Sequence, residues 1–143
     1  MFKHVLLSVD LEHESSWNKA LPLAIDQCKA SGAALHVLTV VPDFGMSIVS
    51  QYFPENFEKE VDEKVLARLK DFVADKVPDE LSVQHIVGEG SVYEVILNMS
   101  ETVEADLIVM ASHRPELKDY LLGPNAARVV RHSDISVLVV RGI

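Results

Sequence analysis

The sequence predicts an α/β fold in which a parallel β-sheet carries helices on both faces. Short apolar runs alternate with longer amphipathic stretches in the order β-α-β-α-β-α-β-α-β, a pattern typical of parallel sheets with right-handed crossovers. No linker, internal repeat or low-complexity tract interrupts this alternation. The length of 143 residues suits one hydrophobic core, so we predict a single domain over residues 1–143.

The first two predicted elements are a buried strand and a helix. Residues 4–10 form an apolar run that is too short for a helix and should be a central parallel strand. Residues 14–31 carry apolar side chains at helical spacing, and Gly32 stands where a left-handed residue would end the helix. Because Pro22 lies inside this stretch, the helix is either kinked or begins later than its first residue.

A second strand and a second helix follow, separated by an irregular segment. Residues 35–41 form the strand, and residues 57–77 show the apolar face of an amphipathic helix that Pro78 ends. Between them, residues 43–55 contain exposed-looking apolar side chains, including the stretch 46–53. A loop of this length is usually functional or a contact surface, although it could equally pack its apolar residues on itself.

The third strand and helix are predicted from alternation and from a capping pattern. Residues 81–87 alternate with polar positions, which indicates a strand nearer the edge of the sheet. Residues 88–90, Gly-Glu-Gly, then read as a turn. Ser91 and Glu94 fit a capping box, so we expect each side chain to bond the other's backbone N–H where the third helix begins.

The last unit contains a strand, a polar loop, a short helix and a final strand. Residues 107–110 are apolar, and the small residues Ala111 and Ser112 follow them. Gly123-Pro124-Asn125 opens the helix, and residues 137–140 form the last strand. An apolar edge strand of this kind favours pairing with a second copy of the chain.

Composition restricts the functional class. The content of 48% hydrophobic and 24% charged residues is ordinary for a globular protein, and no apolar run approaches the roughly 18 residues that a membrane span requires. The N-terminus lacks a signal-peptide layout, so we expect a cytoplasmic protein. The single Cys28 cannot form an internal disulfide and should be a buried thiol.

The formal net charge of −9 argues against a nucleic-acid or anionic-membrane surface, because both need a basic patch. A small phosphorylated ligand needs only local positive groups and backbone N–H donors. Arg114, Lys118 and Arg128 supply such groups within one stretch of the chain.

Residues 111–125 are the predicted phosphate site. Small residues at Ala111 and Ser112 let a ligand approach the backbone, Gly123 would supply a tight turn, and the helix that begins at Pro124 offers its N-terminal dipole. Asn125 can donate a side-chain hydrogen bond. The residues alone fit a capped loop without a ligand equally well.

Asp10 is the second candidate, at the end of the first strand. It could accept a ribose hydroxyl or hold a metal; alternatively it caps the first helix or pairs with a nearby base. The six histidines show no metal-ligand spacing, and no nucleophile elbow, phosphate loop or dinucleotide fingerprint occurs. We therefore predict no metal site and no catalytic residue.

Several segments together resemble the universal stress proteins over essentially the whole chain. They are HVLLSVD at the start, LHVLTVVP in the second strand, ADLIVMASHRP, LLGPNAARVVRHS and the terminal SVLVVR. The resemblance implies a five-stranded parallel sheet in the order 3-2-1-4-5, on the fold of the adenine nucleotide alpha hydrolases. It also implies association through the last strand, as a homodimer or homotetramer.

One large branch of that family binds ATP without acting as a conventional enzyme. Its motif is Gly, two residues, Gly, nine residues, Gly, and then Ser or Thr. The corresponding positions here are Ala111, Arg114, Gly123 and Pro124, with eight residues between Arg114 and Gly123. Only one motif glycine is present, yet the Ala-Ser-His-Arg-Pro loop resembles a sub-branch able to hold adenine nucleotide.

The resemblance implies ATP, with Mg²⁺ as a possible companion, and a regulatory or protective role in the stress response with at most slow hydrolysis or self-phosphorylation. By position, Asp10 would meet the ribose, and the backbone of Val40 the adenine. The full predicted nucleotide site is Ser8, Asp10, Val40, Met110, Ala111, Ser112, His113, Arg114, Gly123, Pro124 and Asn125. The alternative is a family member that no longer binds the nucleotide and acts as a protein interaction module. Pro124 and the apolar stretch 46–53 favour this alternative.

Overall fold

The computed structural model describes residues 1–41, 57–112 and 122–141, with the side chains of the second range described from Asp62 onward. The strands in these ranges are β1 (His4–Ser8), β2 (Ala34–Val41), β3 (Val83–Glu89), β4 (Leu107–Ala111) and β5 (Ser136–Val140). They form one parallel sheet in the order β3-β2-β1-β4-β5. The predicted fold class and strand order are confirmed.

The helices cover both faces of this sheet, as predicted. They are α1 (Ala20–Ser31), α2 (Phe57–Lys76), α3 (Val92–Thr102) and α4 (Pro124–His132), and a short 3-10 helix spans Glu14–Ser16. Residues of α1 and α2 share one hydrophobic core with the sheet, whereas residues of α3 and α4 share a second core on the opposite face.

The central strand β1 explains why the chain begins with a continuous apolar run. Val5, Leu6 and Leu7 are fully buried, and β1 pairs with β2 on one side and β4 on the other. Val5 and Leu7 belong to the α1–α2 core, while Leu6 belongs to the α3–α4 core. A strand covered on both faces needs apolar side chains at successive positions rather than at alternate ones.

The first helix begins later than its apolar pattern suggested. Residues 14–16 form the 3-10 helix, and α1 starts only at Ala20, so Pro22 falls in the first turn, where its missing N–H breaks no helical hydrogen bond. The helix ends at Gly32, which has φ 71° and donates its N–H to the Cys28 carbonyl at 2.8 Å. This left-handed end is the one predicted.

Cys28 is buried in the α1–α2 core with no exposed surface, as predicted. Burial raises the pKa of its thiol to about 11, because the apolar surroundings disfavour the charged thiolate. The side chain therefore acts as a small apolar core residue in its unreactive thiol form.

The junction between β3 and α3 differs from the prediction in two ways. Gly88 lies inside β3 rather than in a turn, and it is buried against α3. A Cβ atom at this position would overlap Cγ1 of Val95, so the glycine lets the helix approach the strand closely.

Ser91 is the N-cap residue of α3 but makes no side-chain capping bond, and the Glu94 carboxylate instead accepts a hydrogen bond from the Tyr93 hydroxyl at 3.1 Å. The predicted capping box is wrong.

The two edges of the sheet are β3 and β5. The prediction that the third strand lies at an edge is confirmed, although β3 begins and ends two residues later than the predicted span. The irregular segment 43–55 lies outside the described residues, as do residues 113–121 of the polar loop between Ser112 and Leu122.

Candidate functional site

A cavity of about 520 Å³ opens at the carboxyl ends of β1 and β4, beside the start of α4. Its volume lies within the roughly 300–1,000 Å³ of small-molecule sites. It occurs where the strand order reverses, because β2 and β4 lie on opposite sides of β1, and α/β proteins bind ligands at such a point. Its lining consists of Ser8, Val9, Asp10, His13, Ser15, Ser16, Val40, Val92, Met110, Ala111, Ser112, Gly123, Pro124, Asn125 and Ala126.

Nine of the eleven residues predicted from the sequence line this one cavity. They come from three separate parts of the chain: the end of β1, the end of β2, and the β4–α4 unit. The nine are Ser8, Asp10, Val40, Met110, Ala111, Ser112, Gly123, Pro124 and Asn125. The other two, His113 and Arg114, lie outside the described residues.

Asp10 lies two residues after β1 and faces both the cavity and its own loop. Its Oδ2 is 2.8 Å from Nδ1 of His13, and its Oδ1 accepts the Glu12 N–H at 3.0 Å. Of the roles open to it from the sequence, pairing with a nearby basic side chain is therefore observed. About two fifths of each side chain of the pair remains exposed, so the carboxylate is still accessible from the cavity.

Ser16 fixes the shape of the loop that carries Asp10 and His13. Its Oγ accepts the Asp10 N–H at 2.8 Å and lies 2.9 Å from the Asp10 carbonyl and 2.7 Å from the His13 carbonyl, so its single proton is shared between two acceptors. The His13 N–H also donates to the Asp10 carbonyl at 3.0 Å. The two side chains are thus held in place by hydrogen bonds within the loop itself.

The opposite wall of the cavity is the junction between β4 and α4. Ser112, which is almost completely buried, donates its N–H to the Val140 carbonyl at 2.8 Å, and its own carbonyl accepts the Gly123 N–H at 2.7 Å. These two bonds tie the end of β4 to the end of β5 and to the start of α4. The wall is thus attached to the sheet at two points.

The start of α4 matches the prediction in position but not in every role. Gly123 is the N-cap and Pro124 is the first helical residue, as predicted. Gly123 has φ −68° and ψ 166°, a conformation open to any residue, so its backbone angles do not require a glycine. Gly123 is buried within this wall.

The first turn of α4 gives this wall a positive character. The N–H groups of Asn125 and Ala126 have no acceptor within the helix, and both residues line the cavity. Together with the helix dipole, such groups suit an anion. Arg128 does not contribute as predicted, because its guanidinium lies over the Tyr93 ring, 4.9 Å from the ring centroid, and it is not among the lining residues.

Sequence reasoning missed several lining residues, among them His13, Ser16, Val92 and Ala126. His13 and Ser16 could have been found, because residues that directly follow a central strand lie at the carboxyl edge of the sheet. Val92 reaches the cavity only through the docking of α3, for which the sequence offers no local signal.

A second space of about 590 Å³ adjoins the first and shares Asp10, Val40 and Val92 with it. Its lining includes Arg68 of α2 and Glu12, whose Oε1 lies 2.6 Å from the Arg68 guanidinium. This ion pair links α2 to the loop that carries Asp10.

The described residues were searched for a metal-binding group and for a membrane-spanning helix. Within residues 1–41, 57–112 and 122–141, no group of three or more His, Cys, Asp or Glu side chains is placed to hold a metal ion. None of the helices described there is both long and apolar enough to cross a membrane.

Comparison with known proteins gives one consistent result. The family model described as the universal stress protein family matches residues 1–141. Universal stress protein G of Salmonella typhimurium is 31% identical over 143 residues, covering 99% of this chain and all of the relative.

Two solved structures share the fold. A universal stress protein in complex with cAMP aligns with a TM-score of 0.68 at 22% identity, covering 99% of this chain and 98% of its own. The universal stress protein from Archaeoglobus fulgidus in complex with dAMP aligns with a TM-score of 0.62 at 14% identity, covering 96% of each chain. Since the family model spans almost the whole sequence, this chain belongs to the universal stress protein family.

Proposed function

We propose that the 520 Å³ cavity binds an adenine nucleotide, with ATP as the physiological ligand, and that the protein acts in a regulatory or protective role during stress. The observation that carries the proposal is the convergence of nine predicted nucleotide-site residues, from three parts of the chain, on one cavity. The complexes of two structural relatives with cAMP and dAMP support adenine nucleotides as the ligand class.

The chemistry of the cavity walls suggests how the nucleotide lies. The Asp10 carboxylate accepts hydrogen bonds, which suits the ribose hydroxyls. Val40 and Val92 form the apolar side, where the adenine ring would pack. The first turn of α4 offers N–H donors and a positive dipole end, which suit the phosphates.

Mg²⁺ would accompany ATP through the phosphate oxygens and water, as it commonly does in nucleotide sites. Among the described lining residues Asp10 is the one carboxylate, and it would be the charged ligand that this part of the chain offers such an ion. Binding, with at most slow hydrolysis or self-phosphorylation, is the proposed activity rather than enzymatic turnover.

The proposal includes self-association and a cytoplasmic location. The edge strand β5 leaves one side of its backbone without a neighbouring strand in the described sheet, which suits pairing with a second copy as a homodimer or homotetramer. The cytoplasmic location is proposed because the single cysteine is a buried thiol, and a protein without disulfides needs no oxidising compartment.

Native mass spectrometry with added ATP tests the proposal. We expect one nucleotide per chain for the wild type, and a loss of at least about tenfold in affinity for Ala111→Phe, which fills the cavity from the end of β4. Val130→Phe is the matched control, because it enlarges an exposed apolar side chain on α4 that does not line the cavity. Circular dichroism checks that both variants fold.

Equal ATP binding by Ala111→Phe and Val130→Phe would show that the nucleotide does not occupy this cavity. No binding by the folded wild type would favour the alternative role as a protein interaction module.

A further inference from the structure

We infer that His13 and Asp10 together accept hydrogen bonds from the sugar hydroxyls of the bound nucleotide. The pair thereby selects ribonucleotides over deoxyribonucleotides. This rests on the proposed nucleotide function and adds a specificity residue to it. The observation behind it is that both side chains line the cavity while their Nδ1 and Oδ2 atoms lie 2.8 Å apart.

The contact with Asp10 determines which hydrogen-bonding groups the imidazole can offer. A carboxylate only accepts, so Nδ1 of His13 carries the proton and donates it to Oδ2. In the neutral ring this leaves Nε2, on the other side of the imidazole, as an acceptor. Within the described residues, the Asp10 contact is the one hydrogen bond of the His13 side chain.

The two acceptors match the chemistry of a ribose. The 2′ and 3′ hydroxyls lie on the same face of the sugar and offer two O–H donors side by side. Asp10 can accept one of them and Nε2 of His13 the other. A deoxyribose lacks one donor and would leave one acceptor facing the sugar without a partner, which costs affinity.

Polar contacts within the protein hold the loop that carries the pair. The Ser16 hydroxyl accepts a hydrogen bond from the Asp10 N–H and lies within hydrogen-bonding distance of the His13 carbonyl. The Glu12–Arg68 ion pair, with an N–O distance of 2.6 Å, links the same loop to α2. Because bonds within the protein define this geometry, little binding energy is lost in forming it. The partial exposure of both side chains, 39% for His13 and 41% for Asp10, lets water compensate a missing hydroxyl in part, so the expected selectivity is moderate.

Binding of ATP, 2′-deoxy-ATP and 3′-deoxy-ATP by calorimetry tests the inference. We expect the wild type to bind ATP roughly tenfold more tightly than at least one deoxy analogue. His13→Phe keeps a ring of similar size without the acceptor and should reduce that preference to about twofold or less. Glu14→Gln is the matched control, because this exposed neighbour does not line the cavity and should keep the full preference.

A second measurement needs no variant. Nitrogen-15 spectra of the histidine side chains report the tautomer directly, and we expect His13 to carry its proton on Nδ1. Addition of ATP should shift the Nε2 resonance of His13, and the deoxy analogue with lower affinity should shift it less at equal saturation.

The outcomes separate the two proposals. Tight ATP binding with an unchanged preference in His13→Phe and no shift at Nε2 would overturn the role of His13 while the nucleotide function stands. Failure of the wild type to bind any of the three nucleotides would overturn both.

Discussion

His36 is a histidine that the fold keeps largely buried, with 7% of its surface exposed. Its Nδ1 donates to Oε1 of Gln84 at 2.5 Å, and its Nε2 lies 3.0 Å from Nδ1 of His4, so the three side chains form a chain across β1, β2 and β3. Burial lowers the pKa of His36 from 6.5; the charge of His4 adds to this, whereas the Gln84 hydrogen bond opposes it. The neutral form is therefore the one that folding favours.

This lowered pKa predicts a pH dependence of stability. Below about 6.5 the unfolded chain takes up a proton on His36 that the folded chain resists, so the free energy of unfolding should fall as the pH drops through this range. We expect His36→Leu to reduce the slope of stability against pH between about pH 6.5 and 5. Val130→Ala, which changes an exposed residue of α4 that does not titrate, should keep the slope.

Urea unfolding at several pH values measures both variants. The slope that remains in His36→Leu should come partly from His85, whose pKa is also lowered by burial and by the charge of Lys70. An identical pH profile for wild type and His36→Leu would contradict the account of His36.

Among the elements, the close contact between β3 and α3 depends on Gly88, which has no side chain to separate the strand from the helix. Because a Cβ at Gly88 would overlap Cγ1 of the buried Val95, Gly88→Ala should destabilise the fold by about 1–3 kcal/mol. Removing the overlapping methyl groups with Val95→Ala should recover part of this loss. The double variant should then be less destabilised than the sum of the single variants, with a coupling on the order of 1 kcal/mol.

Gly32→Ala provides the control for that cycle. Gly32 has φ 71°, and a Cβ atom there would have open space around it, so its substitution costs stability through backbone strain alone, about 1 kcal/mol. Combined with Val95→Ala it should be additive. Additivity in the Gly88 cycle as well, measured by chemical unfolding, would show that the α3 contact is not the reason for the glycine.

The start of α4 carries a prediction about phosphate binding. Pro124 has no N–H to donate, although it is the first helical residue and lines the cavity. Pro124→Ser would restore a donor and add a hydroxyl, so we expect ATP and ADP to bind about tenfold more tightly, the effect of roughly 1.4 kcal/mol. Adenosine, which has no phosphate, should bind with unchanged affinity.

Competition titrations with the three ligands measure this difference. A gain for adenosine equal to that for ATP would indicate that Pro124→Ser changes the whole cavity rather than a phosphate contact. A loss of affinity for ATP would show that the proline has a positive role in shaping the helix start.

Apolar patterns and turn residues in the sequence were enough to predict the five strands and four α-helices of the described residues, because buried strands and amphipathic helices leave regular apolar patterns. The short 3-10 helix at Glu14–Ser16 was not predicted, since its residues were assigned to the first α-helix. The predictions that failed depend on contacts between distant residues. Gly88 looked like part of a turn, since only the docking of Val95 shows that it must lie inside a strand. The Glu94 carboxylate meets the neighbouring Tyr93 hydroxyl instead of closing a capping box.

The candidate site was predictable to a similar extent and for similar reasons. Asp10, Ser112 and Asn125 follow strands or open a helix, and such positions fall at the carboxyl edge of a parallel sheet. Pairing of Asp10 with a nearby base was one of the roles left open by the sequence, but His13 was not identified as that base, because an isolated histidine in a loop has no spacing signal. The proposal of ATP as the ligand came from the family resemblance, because the positions of these residues do not name a nucleotide.

For the molecule as a whole, the sheet order brings chemically different walls to one cavity. The loop after β1 contributes acceptors, the end of β2 an apolar surface, and the start of α4 a positive helix end. Two of these walls are held by hydrogen bonds described above, the loop after β1 through Ser16 and the start of α4 through Ser112. We propose that this arrangement is a preformed adenine nucleotide site.

Isothermal titration of ATP into nucleotide-free wild-type protein measures whether this site binds the nucleotide. We expect one ATP per chain with a dissociation constant in the micromolar range, a binding free energy of about −8 kcal/mol. Absent heat, or an affinity no better than millimolar, in a protein shown to be folded would contradict it.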